Sequence, residues 1–429
     1  MNSDNNINIL QYCSILILLE VVSFFGISIY TCINYSGVDA WVSIIIGAVI
    51  GLFFIFIFNY INSFEADKPL NKKIILLYGK KIGFVINLII LLSFFSILLS
   101  SMSNVLIYIV SQFLTQTPLI FIGLLFALMA IYINTKGIEV ISRVSNIFLF
   151  INIILFLISV LGLLGKVDYS NLLPFLADGF NPVFKSVFYI IMDNIIPVFI
   201  LLSIPKNKVC KNEKLNKSIY LSYLFSFLVV LIILIVTIGT LGINLSKLYK
   251  YPEYIVLKNI SLFGFLNNME NILNIQWILG LFIMISISLF SIQSNFDNKK
   301  LKNIVDFIAC FISLVIIKKV FINDSIFESY LHNVTPYIKL TLLGIMLLTS
   351  FLIFMKKRST KIIKKWYKPR LLKRGFKIFK FFYLGISNTW PIERLLLDKL
   401  LNDFRFVTVV PYLLAIEYKV SFFWTTYLA

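Results

Sequence analysis

The segment Pro182–Pro205, PVFKSVFYIIMDNIIPVFILLSIP, has the length of a membrane span and an interruption at its middle. About 20 apolar residues cross the ~30 Å hydrocarbon core of a bilayer. Asp193 and Asn194 lie near the centre of this run, and Pro197 follows within one turn. A carboxylate at mid-bilayer costs at least ~2.5 kcal/mol, so it normally faces a cavity or the bundle interior. Because proline also removes a backbone donor, we predict a helix broken near Asp193 that lines a polar cavity.

The composition of the whole chain is that of a polytopic membrane protein. Of its 429 residues, 59% are hydrophobic and 14% are charged, and the mean hydropathy is +0.92. The first eight residues contain no Lys or Arg, and no small-residue cleavage site follows, so we expect the first span to be retained. The four cysteines are scattered and there is one histidine. We therefore expect no metal site and no cofactor.

We predict ten membrane spans, separated by short polar connections. The spans are expected at 9–31, 38–61, 84–113, 118–134, 144–164, 185–204, 218–243, 268–293, 304–322 and 336–355. The connections after spans two, four, six and eight hold 15 lysines and arginines, and the opposite side holds 8. The positive-inside rule therefore predicts that both termini are cytoplasmic.

Ten spans with both termini on one side can divide into two five-helix halves of opposite orientation. Span six is then the equivalent of span one, and each carries an acid at mid-membrane: Asp193 in span six and Glu20 in span one. Span one reads ILLEVVSFFGIS, where Ser23 and Gly26 tolerate a local break. Matched broken helices indicate a transporter-type binding site. Either the two acids share that site, or each is an isolated, protonated and hydrogen-bonded carboxyl.

Two other spans carry candidate site residues. In span three, polar residues recur every three or four positions and therefore share one helix face; they are Ser93, Ser96, Ser100, Ser103 and Asn104. That face either lines a polar cavity or packs closely against a neighbouring helix. In span eight, Glu270 lies near the outer end, where a carboxylate either borders the site or stabilises the helix N-terminus.

Several short motifs then appear in a characteristic order along the spans. They are Asp39-Ala40-Trp41 at the start of span two, Thr117-Pro118 before span four, Gly137 to Arg143 (GIEVISR) before span five, Asn171-Leu172-Leu173-Pro174 with Gly179 and Pro182 before span six, and Trp277 in span eight. In this order, over roughly residues 5–355, the chain resembles the B subunits of spore germinant receptors, members of the amino acid–polyamine–organocation superfamily. Within these motifs we interpret Glu139 and Arg143, four residues apart, as a structural ion pair.

The resemblance implies an all-α, LeuT-like fold of two inverted five-helix repeats, with helices one and six broken at mid-membrane. It implies a nutrient, often an amino acid, bound between spans one, three, six and eight. It also implies a complex with a larger A subunit and a lipoprotein C subunit, in the inner membrane of an endospore.

We expect the ligand's ammonium to pair with Asp193 or Glu20, and its carboxylate to accept backbone N–H groups freed at the two breaks. The candidate ligand-binding residues are Glu20, Ser23, Gly26, Ser96, Ser100, Asn104, Asp193, Asn194, Pro197 and Glu270.

The end of the chain departs from the resemblance. We divide the sequence into a transmembrane domain (1–355), a basic amphipathic cytoplasmic tail (356–384) and an unassigned extension (385–429). The segment Lys356–Lys380 holds 12 basic residues and no acids. Such a stretch suits the anionic cytoplasmic leaflet, so its expected partner is lipid and not nucleic acid.

Two functions fit these features. The first is a receptor subunit that binds a germinant in a central cavity and triggers spore germination. The alternative is a proton-coupled amino acid or amine transporter that uses Glu20 or Asp193. An enzyme is not expected, because the sequence has no His-Glu-x-x-His and no Gly-x-Ser-x-Gly motif.

Overall fold

The computed structural model describes residues 7–209, 214–258, 261–262, 266–267, 270–321 and 323–366. These residues form fourteen α-helices and one short antiparallel hairpin, β1 (Ser261–Leu262) and β2 (Leu266–Asn267). The helices are α1 (Ile9–Ser23), α2 (Ile29–Ser36), α3 (Ala40–Asn62), α4 (Leu70–Tyr78), α5 (Lys80–Gln112), α6 (Leu119–Lys136), α7 (Ile138–Leu163), α8 (Phe180–Ile190), α9 (Leu215–Leu248), α10 (Pro252–Lys258), α11 (Glu270–Gln293), α12 (Lys299–Lys319), α13 (Asp324–Asn333) and α14 (Thr335–Trp366).

Nine helical stretches of the described chain are long and apolar enough to cross a membrane. They correspond to nine of the ten predicted spans. The remaining prediction, 304–322, coincides with α12, which packs against α5, α6 and α11. This helix differs from the nine because Asp306 lies within it and lysines lie at both of its ends. Its position in the bundle agrees with the prediction, but its composition is less apolar than that of the others.

Span one is broken between α1 and α2. The residues Phe24–Ser28 form a π-helical turn in which Phe25 is extended (φ −66°, ψ 136°) and Gly26 has a φ of +74°. Glycine adopts positive φ without the steric cost that a Cβ imposes, so Gly26 fixes the place of the break. The break therefore lies one turn beyond Glu20, as the SFFG sequence predicts.

Span six is broken at the matching place. α8 ends at Ile190, a π-helical turn covers Ile191–Ile195, and a 3₁₀ segment follows over Ile196–Ser203. Pro197 is near the start of the 3₁₀ segment, where its missing N–H costs least. The change of helix type around Asp193 is the predicted interruption, and it leaves irregular backbone only inside the bundle.

The two broken spans lie at the centre of the bundle. α1 packs against α7, α9 and α11, and it contacts the irregular part of span six. Apolar side chains on the outer faces are exposed, for example Phe53, Phe150 and Leu161. Such faces suit a lipid surround, whereas the polar residues near the breaks are buried.

The motif at the start of α3 fastens the connection that precedes α8. The buried Asp39 accepts a hydrogen bond from the backbone N–H of Leu176, at 2.9 Å. The Trp41 ring packs 5.6 Å, centroid to centroid, from that of Phe175. The Asp-Ala-Trp motif therefore holds in place the residues that directly follow the Asn-Leu-Leu-Pro motif. The exposed pair Glu139–Arg143 is present as an ion pair within α7.

The described residues up to Phe354 form one compact unit. The helix α14 extends as far as Trp366. The rest of the predicted basic tail, up to residue 384, and the predicted extension over 385–429 lie outside the described residues.

Candidate functional site

The breaks in spans one and six border a small cavity, which we call the central cavity. It has a volume of about 30 Å³, enough for one or two water molecules. Its lining comes from α1, α5, the irregular part of span six, α11, α13 and α14. The lining residues are Val22, Ser23, Ile97, Ser100, Ser101, Asn104, Asp193, Pro197, Leu281, Met284, Leu331 and Lys339. In this conformation the central cavity is too small for an amino acid.

A buried ion pair lies in the wall of the central cavity. The Lys339 ammonium, on α14, donates a hydrogen bond to Asp193 Oδ1 at 2.6 Å. Both side chains are more than nine-tenths buried. Removing one partner would leave an unpaired charge in a low-dielectric site, which is the costly case for buried pairs. The sequence predicts a ligand's ammonium as the partner of Asp193, and the structure shows that the chain supplies an ammonium of its own.

A hydrogen bond joins the two breaks directly. Asn194 Nδ2 lies 3.2 Å from Ser28 Oγ, and it also donates to the Ile190 carbonyl at 3.1 Å. The Ser28 hydroxyl in turn donates to the carbonyl of Ser23, at 3.2 Å. Asn194 is fully buried. Asn194 therefore satisfies the Ile190 carbonyl at one break, and Ser28 satisfies the Ser23 carbonyl at the other. Because Asn194 and Ser28 also bond to each other, the two irregular segments are expected to move together.

Glu20 lies in a different environment. It is fully buried, and its Oε2 accepts a hydrogen bond from the Ser226 hydroxyl of α9. Its Oε1 has no partner among the described residues. Glu20 is not among the residues that line the central cavity. The structure therefore brings the two broken spans together without placing both acids in one cavity.

The polar face of α5 divides between the two roles that the sequence left open. Ser100 and Asn104 line the central cavity. Ser96 instead pairs with the hydroxyl of Tyr330 on α13, at 2.8 Å. Ser93 and Ser103 donate to carbonyls one turn back in their own helix. Ser100 and Asn104 thus line the central cavity, whereas the hydroxyls of Ser93, Ser96 and Ser103 are satisfied by helices of the bundle.

The backbone N–H of Gly26 is engaged by a residue from another element. Glu253, on α10, accepts it through Oε1 at 2.7 Å. This carboxylate is almost fully buried, and its Oε2 has no partner among the described residues. Burial raises the pKa of Glu253 to about 7, and hydrogen bonds from the backbone N–H groups of Glu253 and Gly26 oppose the rise. α10 lies outside the nine candidate spans.

Aromatic rings cover the break at Gly26. A Cβ at this position would overlap two ring carbons of Trp277 and lie 3.2 Å from Tyr251. The Trp277 ring is 4.4 Å from that of Tyr108 and 5.5 Å from that of Tyr251, centroid to centroid. We call Tyr108, Tyr251, Tyr254 and Trp277 the aromatic cluster. A second cavity, of about 340 Å³, adjoins it, and Tyr251 and Tyr254 line this vestibule together with Ser111, Gln112 and Lys250.

Comparisons with known proteins place these features in a family. The sequence pattern of spore germination proteins matches residues 6–325. The chain belongs to the spore germination protein family. Spore germination protein XB of Bacillus anthracis is 24% identical over 348 residues, which cover 81% of this chain and 96% of that protein. Spore germination protein KB of Bacillus subtilis (strain 168) is 24% identical over 267 residues, 60% of this chain and 70% of that protein.

The spore germination protein fold is also found among solved transporters. A mutant manganese transporter of Eremococcus coleocola aligns with a TM-score of 0.57 at 14% identity, over 92% of this chain and 91% of that one. The complex of that transporter with an aromatic bis-isothiourea compound aligns with a TM-score of 0.58 at 14% identity, over 80% of this chain and 78% of that one. The predicted all-α, LeuT-like membrane fold is confirmed, as is the resemblance to germinant-receptor B subunits.

Two residues at the breaks of this spore germination protein are not predicted from its sequence. Lys339 lies near the start of the last span, where its charge fits a connection, and Glu253 lies in a connection with no motif around it. Both act through contacts with residues more than 140 positions away. The sequence feature that could have indicated Lys339 and Glu253 is that each is a charged residue beside an apolar run. Glu270 begins α11, and its side chain lies outside the described residues.

Proposed function

We propose that this chain is the membrane-embedded B subunit of a spore germinant receptor and that it binds a small germinant in the central cavity. The observation that carries the proposal is the Asp193–Lys339 pair at the paired breaks, in the wall of that cavity. A zwitterionic ligand such as an amino acid suits this lining, because each of its charged ends can take the place of one of the chain's own groups. Family membership supports the receptor function.

The signal requires a difference in affinity between two conformations. A ligand shifts a conformational equilibrium only by as much as it prefers one state. Because the central cavity has room for only one or two water molecules, a germinant stabilises a conformation in which α1, span six and α14 have separated. Partner subunits, a larger A subunit and a lipoprotein C subunit, would sense that separation in the spore inner membrane.

The test removes both charges of the pair at once, so that no unpaired charge remains. Asp193→Asn/Lys339→Met should lower the affinity for a labelled amino acid at least tenfold in lipid nanodiscs. The panel of probes is the set of proteinogenic amino acids. The matched control is Glu139→Gln/Arg143→Met, which removes the exposed ion pair of α7 and should bind as the natural chain does. Equal binding by the two double variants would exclude the central cavity as the site.

The second candidate function is proton-coupled transport of an amino acid or amine. The specific observation in its favour is Glu20, a fully buried carboxyl in a broken span with one oxygen that lacks a partner among the described residues. A proton carrier needs such a group, buried and able to change protonation state. Concentrative uptake that disappears in Glu20→Gln would establish this function.

A further inference from the structure

Glu253 occupies a place suited to a ligand's carboxylate. A helix broken in the membrane frees backbone N–H groups, and these attract anions. At the break in span one, the N–H of Gly26 is already taken by the Glu253 carboxylate, at 2.7 Å. The two partners are 227 positions apart in the chain. The bond therefore joins the break in span one to the connection between α9 and α11.

The surroundings of Glu253 show that this contact is enclosed. Its side chain is almost fully buried, and its second oxygen has no partner among the described residues. A carboxylate buried with one unpaired oxygen is costly, so its position needs a compensating role. The Trp277 and Tyr251 rings press against Gly26 from the same region. Tyr251 also lines the vestibule, and Ser23 of the central cavity lies three residues before Gly26 in the chain.

We propose that Glu253 is a tethered competitor: it holds the carboxylate position at Gly26 in the unliganded protein, and a germinant that carries a carboxylate displaces it. This inference rests on the proposed function, because it assigns the ligand class at that same site. An amino acid must break the Glu253–Gly26 bond in order to bind. A carboxamide analogue has no carboxylate to place there and binds without displacing Glu253. Glu253 thus sets the threshold for carboxylate-bearing germinants.

The first test needs no ligand. Amide hydrogen exchange is measured by mass spectrometry on a peptide that contains Gly26, with the protein in nanodiscs. Glu253→Ala removes the acceptor. It should accelerate exchange of the Gly26 amide about tenfold, because the amide loses one charge-assisted hydrogen bond. Glu253→Gln keeps an acceptor oxygen at the same reach and should leave exchange within twofold. The control is Glu328→Ala, which removes the neighbouring carboxylate that pairs with Lys250 and should change nothing at Gly26. Unchanged exchange in Glu253→Ala would overturn the proposal.

The second test adds ligand to Glu253→Ala. Free alanine, added as a ligand, should restore protection of the Gly26 amide in this variant, and free alaninamide should not. The affinity for the proteinogenic amino acids should rise about tenfold in this variant, because the competitor is gone, while the affinity for their carboxamides stays within twofold. An equal rise for both ligand classes, or a fall for the acids, would overturn the competition. If exchange accelerates in Glu253→Ala but no amino acid binds this variant or the natural chain, the assigned ligand class and the proposed function are both overturned. If amino acids bind but exchange is unchanged in Glu253→Ala, only the role of Glu253 is overturned.

Discussion

Lys339 donates to Asp193 across 2.6 Å, from the last span to the irregular centre of span six. The two residues are 146 positions apart, and both are buried in the wall of the central cavity. A mid-membrane carboxylate needs a partner, and here the partner belongs to the protein. A ligand's ammonium therefore reaches Oδ1 of Asp193 only by replacing Lys339. This makes the pair a candidate switch between a closed, unliganded arrangement and an open, liganded one.

Removing one member of the Asp193–Lys339 pair should lower the free energy of unfolding more than removing both members. Asp193→Asn and Lys339→Met should each destabilise the protein by about 3–5 kcal/mol, because each leaves one buried charge unpaired. The double variant should recover most of that loss. Thermal unfolding of the purified protein in detergent measures all three against Glu139→Gln, where loss of an exposed i,i+4 pair costs a few tenths of a kcal/mol. If the losses in the double variant are simply additive, the two residues do not act as a pair.

Gly26 should tolerate no side chain. A Cβ there would overlap the Trp277 ring on a backbone with a φ of +74°, so Gly26→Ala should cost about 2–5 kcal/mol from strain and clash together. Gly79 also has a positive φ, +80°, but nothing lies within 4 Å of the added Cβ. Gly79→Ala should therefore cost only the backbone strain of its own φ/ψ region (ψ 173°), about 1–3 kcal/mol. The unfolding midpoint separates the two contributions, and equal shifts for both variants would mean that Trp277 does not press on the break.

Amino-acid affinity should depend on pH through Glu253. Burial raises the pKa of Glu253 to about 7 from its ordinary 4.5. Between pH 4.5 and pH 7, the unliganded protein, with Glu253 at Gly26, therefore binds more protons than the liganded protein, from which Glu253 is displaced. Displacement by a ligand releases that proton, and affinity should rise with pH between about 4.5 and 7 and level off above 7. The slope is at most about tenfold per pH unit for one proton.

The control for this pH dependence is Glu253→Gln, which removes the titrating group and should flatten the profile in the same window. Lys250, two residues before α10, forms an ion pair with Glu328 at 3.1 Å, and Glu328→Gln should leave the slope intact. A slope that persists in Glu253→Gln would assign the proton to another group, with Asp193 and Glu20 the next carboxyls to test.

The topology predicted from the loop charges can be tested by cysteine labelling. Cys13, Cys32 and Cys310 are buried, and Cys210 can be replaced by serine. Thr135, near the end of α6, and Tyr169, beyond the end of α7, are both exposed and are separated in the chain by α7. With cytoplasmic termini, a membrane-impermeant maleimide should label Tyr169→Cys in intact cells and Thr135→Cys only after permeabilisation. The reverse pattern would invert the predicted orientation.

The sequence predicts those features that local chemistry determines. Asp193 followed by Pro197, and Ser23 followed by Gly26, locate both breaks, because a charge, a proline and a glycine each act on the backbone nearby. The pairing of Lys339 with Asp193 and of Glu253 with Gly26 could not be predicted. It depends on which helices pack together, and a lysine or glutamate near the end of an apolar run has the same sequence pattern whether it faces solvent or the bundle.

The hydrophobic pattern also could not separate the two acids of the broken spans. Glu20 and Asp193 occupy equivalent places in the two halves, but Glu20 meets Ser226 of α9 whereas Asp193 meets Lys339 of α14. Their side chains leave adjoining backbone segments in different directions. Periodicity gives the face of a helix, but it does not give the neighbour that covers that face.

The chain keeps a transporter-like fold, and we propose that it acts as a sensor. The most direct measurement places the purified protein in proteoliposomes and follows binding and uptake of labelled amino acids in the same samples, with and without an inward proton gradient. We predict saturable binding that Asp193→Asn/Lys339→Met abolishes, and no concentrative uptake. Concentrative uptake that requires the gradient and is lost in Glu20→Gln would contradict the receptor account and establish a proton-coupled transporter.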